Sequence, residues 1–166
     1  RERAALRSTA VAMSSDVPDT QEIQCATITA VKHAVRRCSL GSTESYFLRL
    51  PDGNRNGAGF ARYNHQSLRL LRAKRINSVT AVDGSATYPG WPDLVAIIKE
   101  LVGADGGDVL LHTTDPSITV NPHDHFDHRM AGLLVEDLRK RESGARYYEG
   151  YALATRAANR SNAQAR

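Results

Sequence analysis

The sequence predicts an α/β sandwich with a mostly parallel sheet, on three observations. Helical and strand-like segments alternate along the chain. The apolar runs with strand character are short and unbroken, as buried parallel strands are. A loop rich in histidine and aspartate lies between one such strand and a helix, where open α/β sheets gather their ligands. With 166 residues the chain suits one core, and 41% hydrophobic and 24% charged residues place it in the globular class. No internal repeat or second domain is visible, so residues 1–155 read as one domain and 156–166 as a polar, frayed tail.

Each element has its own warrant. Residues 1–14 place Leu6, Ala10 and Met13 on one face among good helix formers, which predicts an amphipathic helix. Ser14 to Thr20 has loop chemistry. Ile23 to Val35 carries β-branched residues in near alternation and predicts one or two strands, with helix competing towards Arg37. Glu44 to Leu50 predicts a strand ended by the turn Pro51-Asp52-Gly53, and the Gly/Asn-rich stretch Asn54 to Gly59 a mobile surface loop. Ser67 to Lys74 is short and helical in pattern. Gly90-Trp91-Pro92-Asp93 opens a helix with Leu94, Ile97, Ile98 and Leu101 at core spacing and Gly103 near its end. Asp108 to His112 reads as a buried strand. A helix from about His128 to Glu142 follows, with Asp127 as N-cap and Gly144 as stop, and Tyr148 to Ala154 reads as a last strand.

The net charge of +4 is spread along the chain rather than set in a basic stripe with aromatics, which argues against a nucleic-acid partner. Cys25 and Cys38 form neither a disulfide framework nor a CxxC pattern, so free buried thiols are expected. No apolar run approaches the roughly 20 residues of a membrane helix, so no membrane partner is expected. No basic-then-apolar leader opens the chain, which begins Arg1-Glu2-Arg3, and the expected setting is cytoplasmic. The sequence carries no signal for oligomeric state.

Three of the six histidines fall within His123-Asp124-His125-Phe126-Asp127-His128. Imidazole is a good zinc ligand, and a neighbouring carboxylate commonly fixes its tautomer and orientation. His125 and His128 are three residues apart, so both rings can face one cavity from the entry of a helix, with Asp127 in reach of either. This pattern points to part of a divalent-metal hydrolase site, with zinc as the metal. The competing account is a solvated polar loop in which Asp127 serves only as an N-cap. His112 reads as a strand-end residue, and His33 and His65 as surface residues. A zinc that activates water generally has three protein ligands and a carboxylate base nearby, and the cluster supplies only part of that set.

Thr114-Asp115-Pro116, then His125-Phe126-Asp127-His128-Arg129 and Gly132, resembles the C-terminal motif of the PIG-L/LmbE family of zinc-dependent de-N-acetylases, with Phe126 in place of the usual proline. Phe47 to Gly53 is similar to the family's F-L-x-L-P-D-G strand end, Arg1-Glu2 to the start of its second helix, and Gly150-Tyr151 with Asn159 to a Y…N segment. The resemblance implies an LmbE-like three-layer sandwich with a Rossmann-like sheet. It implies one divalent zinc ion held by His128, a His125 that polarises the amide carbonyl or stabilises the oxyanion, and an Asp127 that orients a histidine. Asp52 and Arg1 match positions on the substrate side. The implied reaction removes acetyl from an N-acetylated amine, often an N-acetylglucosamine-type sugar. The family's A-H-P-D-D-E motif, which carries the other two ligands and the base, has no counterpart here. Val17-Pro18-Asp19-Thr20 lacks its histidine and acidic pair, leaving Asp16 and Asp19 as loop residues. The expectation is a partial deacetylase domain without the first strand and helix, inactive as it stands. The alternative is a non-catalytic relative that binds a sugar or partner through the Asp52 and histidine loops.

Overall fold

The computed structural model describes residues 6, 7, 9, 21–103, 109–138, 144–155 and 157. Leu6, Arg7 and Thr9 are helical and Leu6 is buried, while the rest of the expected N-terminal helix, with Arg1, Asp16 and Asp19, lies outside the described residues. So does nearly all of the expected tail, including Asn159.

The first sheet contains β1 (Gln24–Ala30), β2 (His33–Leu40) and β3 (Thr43–Phe47), paired in that order and antiparallel throughout. The expected mostly parallel, three-layer sandwich is therefore overturned. The reason lies in the connections. Val31-Lys32 and Gly41-Ser42 are two-residue turns, and a parallel pair needs a crossover of about a dozen residues. Val31 and Lys32 both take left-handed backbone angles, φ 45° and 65°, as the tight hairpin turn of a twisted ribbon requires. β4 (Ser78–Thr80) and β5 (Thr87–Pro89) form a second antiparallel hairpin that the sequence reading missed. Among the described residues only β6 (Leu111–Thr114) and β7 (Ala145–Tyr148) pair in parallel.

The hairpin also corrects the cysteine expectation. Its register sets Cys25 directly opposite Cys38, and the two form a disulfide rather than free thiols. His33, expected at the surface, is buried, and its Nε2 lies 2.8 Å from an Asp93 carboxylate oxygen. Strand structure runs on to Leu40, so the helical alternative near Arg37 does not hold.

The helices α1 (Leu68–Arg72), α2 (Gly90–Gly103) and α3 (Phe126–Leu138) pack with these strands. The Ser67 hydroxyl accepts the Leu70 N–H at the start of α1, and α2 buries Trp91, Leu94 and Ile97. The core joins Ala30 and Val35 of the first sheet, Leu71 of α1, Val79 and Tyr88 of the second hairpin, and Leu94 and Ile97 of α2. α3 reaches this core through Leu134, and the Trp91 indole N–H donates to Asp137 over 2.8 Å, tying α2 to α3. The β6 run is half-buried rather than buried, with Leu110 50% exposed beside it. Where a last strand was expected from Tyr148 to Ala154, β7 ends at Tyr148 and a short 3-10 turn covers Tyr151–Thr155. No helix among the described residues is long and apolar enough to cross a membrane.

Candidate functional site

The histidine loop is fixed from both ends by backbone-directed polar contacts. At the end of β6, the Asp115 carboxylate accepts the Ser117 N–H over 2.8 Å, closing a local turn. Asn121, 1% exposed, donates through Nδ2 to the carbonyls of Asp115 (2.9 Å) and Tyr148 (3.2 Å), and accepts the Gly150 N–H at 2.6 Å. One side chain thus joins the loop after β6 to the loop after β7. His123 then takes a left-handed backbone angle, φ 67°, and the chain turns Asp124 inward. The Thr114 hydroxyl donates to the His128 carbonyl over 2.7 Å, holding the first turn of α3 on β6. Gly132 lets the two elements close: a Cβ there would overlap the Thr114 carbonyl oxygen and the Pro116 ring.

Within this frame Asp124, His125, Asp127 and His128 divide the work. Asp124 is buried, and its Oδ1 accepts the His125 N–H (2.8 Å) and lies 2.8 Å from His128 Nδ1. The His128 ring also packs edge-on against Tyr151, with centroids 5.1 Å apart. His125, just before α3, caps it: ring Nδ1 accepts the Asp127 N–H over 3.2 Å, and the His125 carbonyl accepts the His128 N–H. A ring nitrogen that accepts an N–H is unprotonated, so the neutral ring carries its hydrogen on Nε2. That Nε2 lies 3.5 Å from an Asp52 carboxylate oxygen.

Asp127 falls inside α3 rather than at its expected N-cap position, because the helix starts at Phe126 instead of about His128. Its Oδ2 accepts the Gly53 N–H over 2.8 Å and lies 3.7 Å from His125 Nδ1. Burial pushes the Asp127 carboxyl above its ordinary value, and the nearby Asp52 charge adds to this, while the Gly53 N–H and His125 act in the opposite direction. Asp52, His125 and Asp127 each offer a ligand atom within 4.8 Å of the others.

Asp52 reaches the cluster because the loop after it is pinned. Gly59 N–H donates to the Gly53 carbonyl (2.8 Å), and the buried Ser67 hydroxyl donates to the Gly57 carbonyl (2.7 Å). In the stretch expected to be a mobile surface loop, Gly57 and Gly59 are buried while Arg55 and Asn56 are exposed. The structure therefore unites Asp52, His125 and Asp127 and sets His128 beside them, with the two imidazole centroids 5.7 Å apart. Arg1 lies outside the described residues. Asp124 and Asn121 were given no role from the sequence. Asp124 had a readable signal, standing four residues before His128 across the helix entry, where side chains meet. His112 does stand in a strand, with Nδ1 2.6 Å from the Tyr148 hydroxyl, and His65 is exposed.

The residues present fit a bound cation. Oδ1 of Asp127 and Oδ2 of Asp124 are buried and have no hydrogen-bond partner among the described residues, a costly condition that a positive group relieves. Compared with known proteins, the chain matches no family model, no curated protein and no solved structure.

Proposed function

We propose that the histidine loop and the Asp52 turn form part of the site of a metal-dependent hydrolase that removes acetyl from an N-acetylated amine, with zinc held by His128. The observation that carries this reading is the Asp124–His128 pair. A buried carboxylate 2.8 Å from Nδ1 fixes the ring and leaves Nε2 to a metal, the usual support of a metal-bound imidazole. The kinship with the PIG-L/LmbE deacetylases and the sugar substrate, an N-acetylglucosamine-type compound, rest on the motif from Thr114 to Gly132 and on Phe47 to Gly53.

A bound zinc ion supplies Lewis acidity and lowers the pKa of water. The protein's own part is orientation. His125, with its hydrogen on Nε2, is a donor to the oxygen of an amide carbonyl as negative charge develops there. Asp127 holds the Asp52 turn against α3 through Gly53, and Asp52 stands at the exposed mouth, where it accepts a substrate hydroxyl or N–H. Two further ligands and a general base are needed for turnover, and the sequence has no second histidine-carboxylate motif for them. The 166-residue chain accordingly binds zinc weakly and is inactive alone.

A second reading, a non-catalytic sugar- or partner-binding relative, is favoured by one fact. The three residues able to share a metal include one imidazole and two carboxylates, without His128. Zinc titration separates the two. The hydrolase reading expects zinc binding that His128→Ala reduces at least about tenfold. Unchanged binding in that variant sinks the assignment of His128, and acetate release by residues 1–166 sinks the claim that they are inactive alone. The Cys25–Cys38 disulfide favours an oxidising compartment over a cytoplasmic setting.

A further inference from the structure

A cavity of about 370 Å³ lies beside the cluster, sharing with it the wall formed by Asp124 and Phe126. Its cationic lining comes from two directions: Arg55 from the turn after Asp52 and Arg129 from the first turns of α3. Arg129 is already oriented. Its Nε donates to the Pro116 carbonyl over 3.1 Å, and its guanidinium lies over the Phe126 ring, 5.1 Å from the centroid. The two terminal nitrogens of that fork have no acceptor among the described residues, and neither has the exposed Arg55 side chain. The one acidic group in the wall is Asp124: its Oδ1 is engaged by His128 and by the His125 N–H, while its Oδ2 is buried with no partner among the described residues. His123 adds an imidazole.

We propose that this cavity is an oxyanion site that takes the phosphate or carboxylate group of a small ligand on the Arg129 fork, with Arg55 closing on it from the Asp52 turn. Planar guanidinium pairs with such groups through two parallel hydrogen bonds, and Arg129 is held so that little freedom is lost on binding. Phe126 and Ile118 supply an apolar wall for the body of the ligand. The site stands independently of the deacetylase reading. Taken with that reading, it specifies an N-acetylated substrate that carries an anionic group.

The test is calorimetric titration of the 166-residue chain in metal-free, low-salt buffer with three probes: N-acetylglucosamine 6-phosphate, N-acetylglutamate and uncharged N-acetylglucosamine. At least one anionic probe is expected to bind about tenfold or more tightly than the uncharged sugar, with the preference fading as salt rises. Preference for the phosphate assigns a phosphoryl ligand, and preference for N-acetylglutamate a carboxylate. Arg129→Gln is expected to remove most of the preference and Arg129→Lys to restore only part of it, since lysine keeps the charge without the fork. Arg55 is exposed, so Arg55→Gln tests the same site without disturbing packing, and a loss of several-fold is expected. Equal binding of charged and uncharged probes overturns the proposal, as does anion binding unchanged in both Arg55→Gln and Arg129→Gln. Acetate release and zinc binding are not read in this titration, so failure of the hydrolase reading leaves its outcome untouched.

Discussion

Residues 24–103 and residues 109–155 are held in place by different chemistry. The first stretch contains every member of the main apolar cluster, from Ala30 to Ile97, and its first sheet is stapled by the Cys25–Cys38 disulfide. In the second, the buried positions among the described residues are Asn121, Asp124, Met130 and Gly132. Two of these four are polar and one has no side chain, so position there is set by hydrogen bonds and close backbone contact more than by apolar burial. Such a region owes its geometry to polar pairing, with Asp124 Oδ2 and Asp127 Oδ1 left unpartnered among the described residues, and opens more readily than an apolar core. The candidate chemistry sits where the two meet: Asp52 comes from the first stretch, His125 and Asp127 from the second, and the Gly53–Asp127 bond joins them.

The largest expected effect comes from the apolar side. Leu94 is fully buried in the main cluster, and Leu94→Ala is expected to cost about 3 kcal/mol of unfolding free energy in urea denaturation. Because α3 rests on the same cluster through Leu134, amide protection in both stretches should fall together. Protection lost only in residues 24–103 would show the histidine region to be an independent unit. Asn121→Ala is the converse. It leaves the Asp115 and Tyr148 carbonyls and the Gly150 N–H without this partner, at an expected cost of about 2 kcal/mol. Hydrogen exchange should quicken in residues 115–128 and 145–150 and stay unchanged in β1 to β3. A uniform rise across the chain would erase the contrast between the stretches.

How much of this was legible follows the same division. Local periodicity placed α2, because Leu94, Ile97 and Leu101 repeat at helical spacing, and it placed the β1–β2 segment through its alternation. Pairing was not legible from the same signals. The two-residue turn at Val31-Lys32 contains no glycine or asparagine, so nothing announced a hairpin, and without the hairpin Cys25 and Cys38 are merely 13 residues apart. His33 was misplaced because its partner, Asp93, lies in a different element. The β4–β5 hairpin did carry an Asp83-Gly84 turn signal, but its strands are three residues long, too short for alternation to register. In the site, residue types and short spacings pointed to His125, His128 and Asp127, whereas Asp52 was implied only by the resemblance of Phe47 to Gly53 to a family strand end. The bond between Asp127 and Gly53 spans 74 positions and had no sequence signature.

The smallest effect tests whether a turn in the apolar stretch depends on charge. Asp83 accepts the hydroxyl and N–H of Ser85 and pairs with Arg49; these contacts hold its carboxyl at about 2. An unfolded aspartate titrates near about 3.9. A carboxyl depressed on folding contributes stability that is complete above the unfolded value and is lost as pH falls from about 4 to about 2. Asp83 is exposed, so solvent screening keeps the contribution small. In Asp83→Asn the dependence of unfolding free energy on pH should be shallower across that window and unchanged above pH 5. A carboxyl resonance of Asp83 titrating near 3.9 in the folded protein would show that the Ser85 and Arg49 contacts do not persist in solution. The hairpin would then be held by its backbone pairing and by the burial of Val79 and Tyr88, without help from the charge at its turn.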